Sequence, residues 1–102
     1  MYEYVVILGI GYFLAHKNKL CWDTKDASIA DIDKCKEAVE SLKTRNDTPN
    51  ANYFGILDQD RPKYPSGCII YLTKHDRVYF NNQSDGSPNE KARQICKLKG
   101  KR

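Results

Sequence analysis

Four cysteines, Cys21, Cys35, Cys68 and Cys96, are scattered along a chain of 102 residues with no two closer than fourteen positions. Structural zinc sites bring their ligands in close pairs, whereas here the cysteines are far apart and the two histidines, His16 and His75, stand alone. Once the apolar start of the chain is set aside, about 85 residues remain for one domain, a size at which a hydrophobic core by itself leaves a slim stability margin. An even cysteine count in so small a domain points to two disulfides, with free buried thiols and a metal site as the alternatives. Whatever fold the chain adopts must therefore bring residues far apart in sequence to within bonding distance.

The second constraint is an uncharged apolar run of Tyr4, Val5, Val6, Ile7, Leu8, Gly9, Ile10, Gly11, Tyr12, Phe13, Leu14 and Ala15, followed by Lys17 and Lys19. Twelve helical residues rise only about 18 Å against a hydrocarbon core of about 30 Å. Crossing therefore needs the flanks, with Tyr2, Tyr4 and Tyr12 at the interface and the lysines extending outward. Gly11 and Ala15 form a small-xxx-small pair that lets a second helix approach. A cleaved signal peptide fits less well, because Glu3 precedes the run and Phe13 stands where a cleavage site wants a small residue. The run is expected to be a membrane-anchoring helix over residues 1–20, the alternatives being a strand or helix buried in a larger assembly, or a signal peptide. Cationic charge behind it predicts a cytoplasmic carboxyl-terminal domain. That opposes the disulfides, which the cytosol would reduce, unless the protein belongs to a particle with its own oxidising chemistry or the topology rule fails.

Within residues 21–97, Ile32, Cys35, Val39 and Leu42 recur at helical steps, so a helix is expected from Ile29 to about Thr44, capped by Ser28 with Asp31 at the N3 position. Asp33 with Lys36 and Glu40 with Lys43 are expected to pair on its solvated side. Strands are expected at Tyr53 to Leu57, Cys68 to Thr73 and Arg77 to Asn81, the last two joined through Lys74-His75-Asp76. Alternation sets Cys68, Ile70 and Leu72 on one face, Ile69, Tyr71 and Thr73 on the other, and Val78 with Phe80 on one face of the partner. Ser87-Pro88-Asn89-Glu90 carries the signature of a helix start and predicts a second helix through Ala92, Ile95 and Cys96. The expected fold is α+β: an apolar membrane-type helix, then a disulfide-stapled domain ordered helix, three short antiparallel strands, helix, then a basic tail over 98–102. Two helices packed on one sheet favour the pairs Cys35–Cys96 and Cys21–Cys68.

The formal charge is +4, and the six basic residues from Lys91 to Arg102 face no acid. Lys97, Lys99, Lys101 and Arg102 are candidate contacts to an acidic partner surface, or simply a solvated terminus. Trp22 and Tyr64 are candidate aromatic anchors for a partner. The acids and lysines of the middle are balanced, so no nucleic-acid footprint emerges. Asn46-Asp47-Thr48 and Asn82-Gln83-Ser84 match the glycosylation sequon. Catalysis has little to work with: Cys68, His75 and Asp76 make a nucleophilic triad only if Cys68 is a free thiol. Gly9-Ile10-Gly11 lacks the context of a phosphate loop, and Asp58, Asp60 and Asp76 lack the rest of a calcium loop. No enzyme activity, cofactor, metal or small-molecule substrate is expected.

The spacing of Cys21, Cys35 in DIDKCKEAVESL, PSGC ending at Cys68, Val78-Tyr79-Phe80-Asn81 and Ile95-Cys96-Lys97 resembles a small four-cysteine module of uncharacterised algal and protist proteins. The resemblance covers most of Leu20 to Lys97 and is most specific at Pro65-x-Gly67-Cys68 with the following VYFN. It differs between the first two cysteines, where Trp22 and Asp23 replace a usual proline and glycine. An apolar anchor ahead of such a module resembles the minor capsid proteins of large algal DNA viruses. That resemblance implies a structural subunit of a virion, attached to membrane lipid and contacting other structural proteins. A single-span accessory subunit of a photosynthetic or other membrane complex, and a secreted or surface module binding carbohydrate or protein, are the other expectations.

Overall fold

The computed structural model describes residues 11–16, 18–21, 28–46, 48–58, 61–71, 75–84 and 86–97. These residues build strand β1 (Tyr12–Leu14), helix α1 (Ile32–Leu42), strand β2 (Asn52–Ile56), a 3-10 turn (Arg61–Lys63), and strands β3 (Gly67–Tyr71), β4 (Arg77–Asn81) and β5 (Ala92–Lys97). The strands form one mixed sheet in the order β1-β5-β3-β4-β2, in which β2 runs parallel to β4 and the other neighbours are antiparallel.

Helix α1 forms where the apolar spacing requires it. Cys35, Ala38, Val39 and Leu42 lie on one face and are all buried against the sheet. Asp31, in extended conformation, is the N-cap, its carboxylate accepting from the Lys34 N–H at 2.8 Å. Ser28, the expected cap, instead sits in a bridge with Cys96, which is why the helix begins three residues later than expected. It ends where Thr44 Oγ1 donates to Ser41 O at 2.7 Å and the buried Thr48 hydroxyl donates to Leu42 O at 2.8 Å, satisfying carbonyls the last turn leaves open. Lys43 and Glu40 pair on the solvated side at 3.2 Å, and the other pair there is Lys34 with Glu37 at 3.7 Å rather than Asp33 with Lys36, whose lysine lies over the Tyr53 ring.

Two expected helices are not there. Tyr12–Leu14 is a strand, antiparallel to β5 in the register Tyr12↔Lys97, Phe13↔Cys96 and Leu14↔Ile95. Tyr12 and Leu14 are buried in the main core beneath α1. Residues 4–10 of the expected anchor lie outside the described residues, and among the described residues no helix is long and apolar enough to cross a membrane. The second correction concerns Ala92–Lys97, which is strand β5, flanked by β1 and β3, not a helix. Ile95 faces α1 while Ala92, Gln94 and Cys96 alternate to the other side, and all four are buried. A helix-start signal worth about 1 kcal/mol is outweighed by two ladders of backbone hydrogen bonds and burial on both faces.

The same alternation decides the disulfides. They are Cys21–Cys96, with Cα atoms 5.5 Å apart, and Cys35–Cys68, at 5.4 Å, rather than Cys35–Cys96 and Cys21–Cys68. Cys68 points toward α1 and meets Cys35 there. Cys96, next to the helix-facing Ile95, points away and meets Cys21 in a separate cluster with Ala15 and Phe13. One staple therefore joins helix to sheet, and the other ties the segment after β1 to β5.

Candidate functional site

Helix α1 covers one face of the sheet, and among the described residues the opposite face carries loops and no helix. Two buried side-chain amides fasten those loops. Asn81, 1% exposed at the end of β4, donates through Nδ2 to Arg61 O at 2.9 Å, Pro65 O at 2.9 Å and Tyr64 O at 3.3 Å. Gln94, 2% exposed on β5, donates to Ser66 O at 2.8 Å and accepts from the Cys21 N–H. Gly67 completes the fastening. It adopts φ +81°, and a Cβ there would lie 2.6 Å from Ile29 O, so the residue joining loop to strand has to be glycine. The PxGC and VYFN segments are thus one structural unit, with Asn81 bonded to Pro65, and Cys68 on the face that carries Val78 and Phe80.

What the loops leave on this face is a row of aromatic rings. Phe54 of β2 lies 6.0 Å from Tyr79 of β4, Tyr79 lies 5.5 Å from Tyr71 of β3, and Tyr71 lies 5.3 Å from Tyr64 of the fastened loop. The planes are tilted by 46°, 60° and 40° in turn, so neighbouring rings meet at an angle and not as a coplanar platform. Leu57, Ile69 and Ala92 are buried beneath it. Phe54 is 49% exposed and the three tyrosines are half-buried. The bulge that shifts the β2–β4 register between Tyr53 and Gly55 leaves Phe54 as the extra residue, beside Tyr79. The same bulge blunts β2 as an edge for adding another strand. Each aromatic contact contributes about 0.5–1.5 kcal/mol beyond area burial.

Cations stand at both ends of the row. The Arg77 guanidinium lies over the Phe54 ring with its carbon 4.6 Å from the centroid, and its Nε is buried with no hydrogen-bond acceptor. At the Tyr64 end, Arg61 and Lys63 are exposed on the 3-10 turn, Arg61 reaching Asn82 Oδ1 at 3.4 Å. Asp33, Glu37 and Glu40 lie on α1 and Asp31 caps it, all on the other side of the sheet. On that side the buried Tyr12 hydroxyl donates to Glu37 Oε1 at 3.1 Å, and burial with this acidic neighbour pushes the phenol up to about 12. Burial raises Tyr53 as well.

No protein-family model, curated protein or solved structure matches this chain. The resemblances in cysteine spacing therefore rest on the sequence motifs alone.

Of the residues singled out from sequence, Tyr64 sits at one end of the aromatic row, and Lys97 is exposed at the end of β5, in register with Tyr12 and away from the row. Trp22, Lys99, Lys101 and Arg102 lie outside the described residues. The triad of Cys68, His75 and Asp76 is not assembled, because Cys68 is buried and bonded to Cys35 while His75 and Asp76 form the turn before β4. Of the acids considered for calcium, Asp58 follows β2, Asp76 is in that turn and Asp60 lies outside the described residues; among the described residues no group of acids, cysteines and histidines gathers as a metal site. Sequence reasoning missed Phe54, Tyr71, Tyr79 and Arg77 as site residues. The signal was present in the alternation: in RVYFN, Val78 and Phe80 take the core face, which sends Arg77 and Tyr79 to the other, the face shared by Tyr71.

Proposed function

We propose that this protein is a non-catalytic recognition module that works outside the reducing cytosol and binds a carbohydrate chain along the helix-free face of its sheet. The observation that carries the reading is the continuous row Phe54–Tyr79–Tyr71–Tyr64 with its neighbouring rings 5.3 to 6.0 Å apart. Sugar rings present apolar C–H faces that pack on aromatic faces, and the three tyrosine hydroxyls supply donors and acceptors for the ring substituents.

The row is one ring wide. Among the described residues the exposed large hydrophobics are Leu20, Phe54 and Ile56, of which Phe54 alone belongs to the row. A narrow polymer suits it better than a second protein surface. Two disulfides favour an oxidising environment, and so favour glycans over single-stranded nucleic acid, the other polymer that stacks on aromatic sheet faces. The assembly-subunit reading, with its virion and membrane terms, has no comparable observation behind it.

The test is a glycan array followed by affinity gel electrophoresis with the oxidised full chain. A retained polysaccharide is expected, with Phe54→Ala and Tyr79→Ala each weakening retention about three- to tenfold, the equivalent of one lost aromatic contact. An array with no carbohydrate bound, or retention that survives the removal of both rings, would overturn the reading.

A further inference from the structure

We infer that the polymer held on this face is an anionic polysaccharide, carrying carboxylate or sulfate groups, and that Arg77 is the residue that selects for its charge. The inference rests on the carbohydrate reading and adds the ligand class to it. Three observations combine.

Arg77 is placed by β4, directly opposite Tyr71 in the β3–β4 register, and its guanidinium carbon lies over the Phe54 ring, 4.6 Å from the centroid. The group is thereby held in position at the end of the row, its side-chain freedom already spent, which favours recognition of a fixed anion. Second, no carboxylate satisfies it. The ion pairs among the described residues are Lys34–Glu37 and Lys43–Glu40, both on α1. Asp76, the adjacent acid in sequence, forms none with Arg77, whose Nε is shut in without an acceptor. A guanidinium without a carboxylate partner gains more from an incoming anion at its terminal nitrogens than one already paired, because the new charge-assisted hydrogen bonds displace no existing ion pair.

Third, the charge is repeated at the far end, where Arg61 and Lys63 project from the turn whose carbonyls Asn81 and Asn89 hold. A linear anion lying along Phe54, Tyr79, Tyr71 and Tyr64 meets a cation at each end. A neutral glucan meets the same rings but leaves these donors unused. The tilts of 40° to 60° between neighbouring rings leave no coplanar platform for the flat face of a crystalline polysaccharide.

The experiment compares polygalacturonate, dextran sulfate and neutral dextran in affinity electrophoresis at physiological salt, using the oxidised full chain. The anionic polymers are expected to bind at least tenfold tighter than dextran, and the stronger of the two names the anion. Arg77→Gln is expected to remove most of that preference. Lys36→Gln, which deletes the same charge on the α1 side, is expected to change it less than twofold. Arg61→Gln with Lys63→Gln, at an exposed turn where folding is not at stake, is expected to cost a further three- to tenfold. Equal binding of dextran and the anionic polymers overturns this inference while leaving the carbohydrate reading standing. Equal losses from Arg77→Gln and Lys36→Gln overturn it too, since binding would then be ion exchange by net charge. No binding of any polysaccharide overturns both.

Discussion

Replacing Asn81 by alanine tests how the loop that carries Tyr64 is held. The side chain is 1% exposed, and its Nδ2 serves two close carbonyls, Arg61 O and Pro65 O at 2.9 Å each, with Tyr64 O more distant at 3.3 Å. Its Oδ1 accepts from the Gln83 N–H at 3.2 Å. Each hydrogen bond is worth about 1 kcal/mol net, and a buried carbonyl left without a donor costs about 1–3 kcal/mol. Two strong bonds lost, with Pro65 itself buried, sum to a destabilisation of about 2–4 kcal/mol. Against a total of about 5–15 kcal/mol for a domain this is a large share, and at about 4–8 °C per kcal/mol it lowers Tm by roughly 10–25 °C. Urea unfolding followed by tyrosine fluorescence measures it, with an unchanged m-value showing that the unfolded state is the same. Asn81→Asp should be worse, since it sets a carboxylate against three carbonyl oxygens. Binding should fall along with stability, because Tyr64 and Arg61 both ride on the loop. An Asn81→Ala protein within about 0.5 kcal/mol of the parent would refute the reasoning, showing that the loop carbonyls find other donors.

The disulfides close spans of 75 and 33 positions, so removing either pair should cost about 4 kcal/mol through unfolded-chain entropy, the longer span slightly more; mass mapping of unreduced peptides should recover Cys21 with Cys96 and Cys35 with Cys68, and a Cys35–Cys96 peptide would disprove the register of β5. The buried Tyr12 phenol, raised from 10.0 to about 12, stays protonated in the native state while the unfolded state ionises. Its contribution is therefore fully present below pH 10 and is lost as pH climbs through 12, a fall of about 2–3 kcal/mol. Rapid unfolding measurements across that window should show the slope, and Tyr12→Phe should flatten it.

Much of this fold is legible along the chain. Helix α1 announces itself through Ile32, Cys35, Val39 and Leu42, because a 3.6-residue period is a local property, while its cap moved from Ser28 to Asp31 once Ser28 was taken up in a bridge with Cys96. Strands β3 and β4 do so through strict alternation around a turn, and their two faces even separate Tyr71 from the core residues. The candidate site is half legible for the same reason. Tyr64 stands out and alternation gives Tyr71 its face, but nothing local sets Phe54 beside Tyr79, since that contact depends on β2 pairing parallel to β4 although β3 lies between them in sequence. Arg77 likewise gains its role from Phe54 alone.

The sequence by itself determined a cysteine-stapled domain with one capped amphipathic helix and a β-hairpin, because periodicity and capping act within a few residues. Only the tertiary structure decided that Tyr12–Leu14 and Ala92–Lys97 are strands, since their local signals were worth about a kilocalorie while β5, between β1 and β3, satisfies two ladders of backbone groups and buries both faces, and β1 pairs along it with Tyr12 and Leu14 in the core. With β5 fixed as a strand, the direction of Cys96 followed, and with it the partners of all four cysteines.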